Sequence, residues 1–283
     1  MMRDPKIELV LAGLTFPEAP RWRQGKLWFS DFYSHRVMAL GLQGVAETVA
    51  RVPQRPSGLG WLPDGTMLIV SMLDRQLLRL DRGELRPIAD LSAIATGPCN
   101  DMVVDAAGRA YVGNFGFDRH AGEPPRTTCL IRVDPDRSVH RVANDLLFPN
   151  GTVITPDGKT LVIAETYANR LTAFDVREDG SLAGRRLFAT LEDCFPDGIC
   201  LDAEGAIWVT DARGHRVLRV FEGGRVERVI GMGDRTAFAC MLGGEDRRSL
   251  FLCTSTGSGP AMAQKTDGRI EMIRVDVPGV GLP

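Results

Sequence analysis

Six times along this chain, a short apolar run is followed by a tight turn and then by a second apolar run. The spacing is nearly constant. From Asn150 the run NGTVITPDG reaches Gly158, and from Asp197 DGICLDAEG reaches Gly205. Asn100 leads to Gly108 through NDMVVDAAG and Ser57 to Gly65 through SGLGWLPDG, so these four offsets are all eight residues. Glu18 reaches Gly25 one residue sooner, and a degenerate sixth copy runs from Ala239 through ACMLGGEDR to Arg247. Asp-Gly and related pairs between apolar runs signal hairpins, because glycine adopts positive φ without a steric penalty.

After each turn comes a β-rich segment: KLWFSD, TMLIVS, RAYVGN, KTLVIAE, AIWVTD and SLFLCT. A third segment usually follows, as in HRVMAL, QLLRLD or RLTAFDV. Helical periodicity is essentially absent from these units. Anchors near 18, 57, 100, 150, 197 and 239 are spaced by roughly 40 to 50 residues, the range of propeller blades. The expectation is an all-β, six-bladed β-propeller occupying residues 1–283 as one domain. A β-sandwich built from similar hairpins has no reason to keep a regular unit length. No Ser/Gly-rich linker interrupts the series, and FGFDRHAGEPPRTTC at 115–129 reads as an extended loop.

A hydrophobic fraction of 44% and a charged fraction of 25% supply a real core. The formal net charge of −2, with no basic stripe, argues against a nucleic-acid partner. No apolar run is long enough to cross a bilayer, and the N-terminus has no signal-peptide pattern, so a cytoplasmic location is expected. The six cysteines include no CxxC pair and read as small core residues of a reduced protein.

In a propeller the first strand of each blade lies beside the central channel. Glu18, Ser57, Asn100, Asn150, Asp197 and Ala239 each open that strand and should ring one channel mouth. Phe-Pro precedes Glu18, Asn150 and Asp197, where proline tolerates a strand's first position and stiffens the approach to it. Two carboxylates, two amides and a hydroxyl, with no basic residue among them, suit a hard divalent ion in the channel. Glu18, Asn150 and Asp197 are the expected metal ligands, with Asn100 in or just beyond the shell. Capping of strand ends is the alternative use of such side chains. The ends of the second strands supply an outer wall from Asp31, Met72, Asn114, Phe115, Glu165, Asp211 and Thr254. Asp31 and Asp211 read as turn residues in preference to partners of the metal's ligands, and Phe115, Met72 and Tyr33 as an apolar pocket or as packing between blades. His120, in the long loop, reads as a solvated histidine or a lid residue.

The segments FPEAPRWRQGKLWFSD, CNDMVVDAAGRAYVGN, FPNGTVITPDGKTLVIAET and FPDGICLDAEGAIWVTD together resemble the senescence marker protein/gluconolactonase/luciferin-regenerating enzyme family over nearly the whole chain. The resemblance implies a six-bladed propeller with one divalent cation, Ca²⁺, Zn²⁺, Mn²⁺, Mg²⁺ or Fe²⁺, in its channel. It puts the metal ligands on Glu18, Asn150 and Asp197 and the substrate-contacting amide on Asn100. The activity it implies is metal-dependent hydrolysis of lactones, and Asp197 is the candidate catalytic base. Asn114 and Phe115 are added as substrate-binding residues. Sugar-lactone hydrolases of this type often carry arginine where this chain has Pro98, and NFGFD follows Gly113 where aldonolactonases commonly have Thr-Met. Loss of a guanidinium removes directed donors for sugar hydroxyls, which leaves a less polar lactone or related ester open beside the sugar lactones that the resemblance implies. Two rivals are a non-catalytic propeller that binds calcium or a small molecule, and another esterase or condensing enzyme on this architecture. No GxSxG elbow or HExxH pattern supplies a different nucleophile or metal site.

Overall fold

The computed structural model describes residues 6–41 and 43–281. The first five and last two residues of the expected 1–283 domain therefore lie outside the described residues. Six four-stranded antiparallel sheets are arranged as the blades of a propeller, and five of them run outward in chain order from an inner strand. The inner strands, from blade 1 to blade 6, are Pro17–Arg23, Pro56–Trp61, Cys99–Val104, Pro149–Ile154, Pro196–Leu201 and Thr236–Gly243. Each begins within two residues of the anchors expected from the repeat, except in blade 6, where the strand starts slightly earlier. The ring closes through the N-terminus: Glu8–Leu14 pairs with Gly268–Arg274 as the outermost strand of blade 6. One sheet thus contains the first and the last strand of the chain's described residues.

Burial follows radius. Inner strands such as Pro149–Ile154 are buried throughout, whereas the outermost strand Val139–Leu146 of blade 3 exposes half its residues. The apolar core consists of layers between adjacent blades. Leu68, Met102 and Val112 pack blade 2 on blade 3, and Val153, Ile199 and Val209 pack blade 4 on blade 5. Glycines after three of the anchors let the inner strands approach backbone to backbone. A Cβ on Gly58 would lie 2.5 Å from Met102 N, one on Gly151 2.5 Å from Ile199 N, and one on Gly198 2.5 Å from Ala239 Cα.

Every inner strand breaks register with its neighbour beside its anchor, as between Glu18 and Arg21 or between Pro149 and Thr152. Such a bulge re-aims the side chains around it. All six cysteines are free and buried. No helix of the described residues is long and apolar enough to cross a membrane.

Candidate active site

Glu18, Asn100, Asn150 and Asp197 line one cavity at the end of the channel, of about 120 Å³. Asn100, Asn150 and Asp197 are only 5–8% exposed. Ser57 and Ala239 do not line it. The Ser57 hydroxyl lies behind the amide, 3.4 Å from Asn100 Oδ1, and Ala239 packs on Gly198.

The Asn150 amide is oriented by its surroundings. Thr166 Oγ1 donates to the carbonyl of Pro196 at 2.8 Å, so its single proton is committed. It can then only accept from Asn150 Nδ2, 3.1 Å away, which turns Asn150 Oδ1 the other way. Asn100 Nδ2 donates to that oxygen at 3.0 Å.

Burial raises the pKa of Glu18 well above the carboxylate range, and the charge of Asp197 raises it further. Burial likewise pushes Asp197 up to about 7, against the opposing pull of Arg119 and the Asn150 amide. Neither carboxylate forms an ion pair among the described residues. The donor set therefore fits a hard divalent cation: two carboxylates that resist ionising without a positive partner, beside an amide oxygen held in place. Among the described residues no group of three or more His, Cys, Asp and Glu side chains assembles a different metal site.

The expectation of no basic residue near the ring is corrected by three arginines. Arg21, on the inner strand of blade 1, is 4% exposed and crosses beneath the anchors. Its Nη2 lies 2.6 Å from Asp101 Oδ1 and 2.7 Å from the carbonyl of Met102, and its Nε donates to Leu59 O. Arg119 and Arg213 line the cavity from exposed loops. The cavity thus has an acidic floor and a basic rim.

The second-strand ends divide into two groups. Asp31, Glu165 and Asp211 are fully buried and hold structure. Each accepts backbone N–H groups from the segment before an inner strand (Phe16, Leu147 and Phe195) and pairs with the arginine directly across the hairpin, Arg36, Arg170 or Arg216. The reading of Asp31 and Asp211 as turn residues agrees with this use. Asn114 is corrected in the same way: its Nδ2 donates to Cys129 O, and its Oδ1 accepts from Gly116 N and Thr128 Oγ1. Its amide oxygen and one of its amide N–H groups are thus engaged by its own blade, and Asn114 is not among the residues that line the cavity. Phe115, the next residue, does line it, as does Tyr33, while Met72 packs behind.

The Phe-Pro motif does more than shape the backbone at the entry to an inner strand. In fact Phe16, Phe148 and Phe195 form part of the wall, and Phe115 stacks on Phe148 with centroids 4.3 Å apart. His120 also lines the cavity although its loop is exposed. Partial burial lowers its pKa, reinforced by Arg119 and Arg55.

The model of the SMP-30/gluconolactonase/LRE-like region matches residues 16–256, which span all six inner strands. The chain belongs to the SMP-30/gluconolactonase/LRE-like family. It is 27% identical to a Pseudomonas putida protein named 6-deoxy-6-sulfogluconolactonase, over 94% of this chain and 93% of that one. It is 32% identical to Gallus gallus regucalcin, over 81% of this chain and 75% of the relative. Among solved structures, a calcium-binding regucalcin from Agrobacterium tumefaciens superposes with a TM-score of 0.83 at 22% identity, covering 99% of this chain and 97% of the other. That last likeness establishes a shared fold, including the six-bladed ring common to this SMP-30/gluconolactonase/LRE-like chain.

Proposed function

We propose that this protein is a divalent-metal-dependent hydrolase of small lactones. One observation carries the reading: Glu18 and Asp197 share a cavity at the channel's end, each with a raised pKa and neither ion-paired among the described residues. Glu18, Asn150 and Asp197 would hold the cation. When bound it supplies polarisation of the ring-ester carbonyl and stabilisation of the charge that gathers on its oxygen.

The protein's own groups do the rest. Asp197 takes a proton from the attacking water as the water oxygen bonds to the carbonyl carbon. Cleavage of the ring acyl–oxygen bond leaves a carboxyl group at one end and an alkoxide at the other, and the proton held at Asp197 passes to that alkoxide. Asn100 offers its amide to the substrate. Thr166 keeps Asn150 facing the axis, and Phe115 with the other rings restricts water around the reacting ester.

The cavity size supports a compact substrate, since an apolar cavity of about 150 Å³ accommodates one benzene molecule. Its seven aromatic rings and the absence of a guanidinium at Pro98 favour a lactone ring with fewer hydroxyls than a sugar lactone. The name of the Pseudomonas putida relative supports lactone chemistry within the family.

The test uses chelator-stripped protein, each metal restored singly, and a panel of sugar, aliphatic and aromatic lactones. Hydrolysis should require an added cation, and Asp197→Asn should reduce kcat at least 100-fold. Full activity in stripped protein would remove the metal from the reaction; near-normal turnover by the variant would remove Asp197 as base. A cation that binds tightly while no lactone is hydrolysed would favour a binding propeller.

A further inference from the structure

Two wall positions of the repeat change chemistry in this chain. Phe16, Phe148 and Phe195 stand two residues before the anchors of blades 1, 4 and 5; the same place in blade 2 holds Arg55. Arg55 and Phe148 share a positive φ, 72° and 58°, so the backbone is built alike at both. Tyr33 and Tyr167 stand two residues after the second strands of blades 1 and 4, where blade 5 has Arg213. The long loop of blade 3 adds Arg119 at the rim.

None of these arginines meets a carboxylate among the described residues. Arg213 lies over Phe195, 4.1 Å from the ring centroid, and Arg55 over Tyr33 at 4.6 Å. Arg119 donates to Ser258 Oγ at 2.9 Å, across the mouth on the loop of blade 6. Stacking and a hydroxyl contact hold a guanidinium in place while leaving its charge uncompensated. Buried arginines elsewhere are treated differently: Arg21 and Arg219 both meet aspartates, Asp101 and Asp202. Desolvating a rim arginine beneath a neutral ligand would leave its donors without acceptors, whereas an anionic group supplies them.

We propose that this rim selects lactones bearing an anionic substituent, with Arg119 and Arg213 as the residues that bind it and Arg55 adding to the local positive field. This rests on the lactone reading above and narrows its substrate class. The ring faces the acidic floor and the aromatic wall, while the carboxylate, or another small anion of the same geometry, faces the loops. Both arginines line a cavity of about 120 Å³, so a single compact molecule reaches floor and rim together.

The experiment compares 5-oxotetrahydrofuran-2-carboxylate with its primary carboxamide, which has the same ring and nearly the same shape. Wild-type kcat/KM should favour the carboxylate at least tenfold. That ratio should fall in Arg119→Gln and in Arg213→Gln and approach one in the double variant, chiefly through KM. Arg86→Gln, on the exposed outer strand of blade 2, controls for loss of net charge and should keep the wild-type ratio. Calorimetry with 5-oxoproline and its carboxamide, lactams that resist hydrolysis, reads the same selectivity without turnover. If neither lactone is hydrolysed but the lactam preference exists and disappears in the double variant, anion recognition stands and the lactonase reading fails. The proposal is overturned if wild type shows no preference in either assay, or if the preference survives the double substitution.

Discussion

Replacing Arg21 by methionine keeps the apolar stem and removes the guanidinium that ties three inner strands together. Four acceptors each lose a donor: Asp101 Oδ1 at 2.6 Å, which keeps only Met102 N, and the carbonyls of Met102, Leu59 and Pro20 at 2.7, 3.1 and 2.9 Å. The side chains of Arg21 and Asp101 are 5% and 12% exposed, so water cannot readily replace the lost partner. Removing one member of such a buried pair destabilises a protein by about 3–5 kcal/mol, because the other charge remains buried. The deficit should depend on pH. Burial raises the pKa of Asp101 and Arg21 opposes that rise. Without Arg21 the folded-state pKa climbs further above its unfolded value, so the variant regains stability in acid and loses it as pH increases. Guanidinium denaturation of wild type and variant at pH 5.5 and 7.5 measures both quantities. Asp101→Asn in the Arg21→Met background eliminates the stranded charge and should recover part of the loss at pH 7.5 but little at pH 5.5. A deficit under about 1 kcal/mol, or one unchanged by pH, would refute the view that this pair is a buried, charge-coupled strut.

Further predictions concern the cavity and its supports. Both Glu18 and Asp197 have folded-state pKa values raised by burial, so the stability they contribute is present in acid and lost as pH rises through about 7 for Asp197. In chelator-treated protein, Tm should fall between pH 5 and 8, and a bound divalent cation should reverse the fall; a flat Tm in the stripped protein would contradict this. Thr166→Val removes the acceptor that orients Asn150, and cation affinity measured by calorimetry should weaken about tenfold while circular dichroism stays unchanged. Asn114→Ala removes three hydrogen bonds and should lower the stability measured by denaturation by about 2–4 kcal/mol, with no loss of bound cation.

The legible part of the fold was the part encoded by local spacing. An interval of seven or eight residues between anchor and turn fixes a hairpin, and six such hairpins predict a closed ring before any contact is known. Anchors found in this way brought Glu18, Asn100, Asn150 and Asp197 to one cavity. Parity explains the failure at Asn114. Successive strand side chains point to opposite sides, so although Asn114 ends the correct strand, its amide turns to Cys129 and Phe115 takes the cavity side. Arg21 was missed for a different reason: it stands three residues after Glu18, but its partner is eighty residues away in sequence and adjacent only once the ring has closed.

Aligning the repeats on oxygen donors also hid the basic rim. The signal lay two positions upstream, where arginine replaces phenylalanine in RPS, and two positions past the second strand of blade 5. In a repeat protein, the positions kept alike across blades build the ring, because each must satisfy the same strand geometry. Chemistry specific to one substrate can enter only where a blade departs from its siblings. The carboxylate of Asp211 repeats Asp31 and Glu165 in backbone clamping, whereas Arg213, two residues later, replaces a tyrosine and faces the cavity. Within a single turn of one blade, the shared residue maintains the fold and the divergent one faces the cavity.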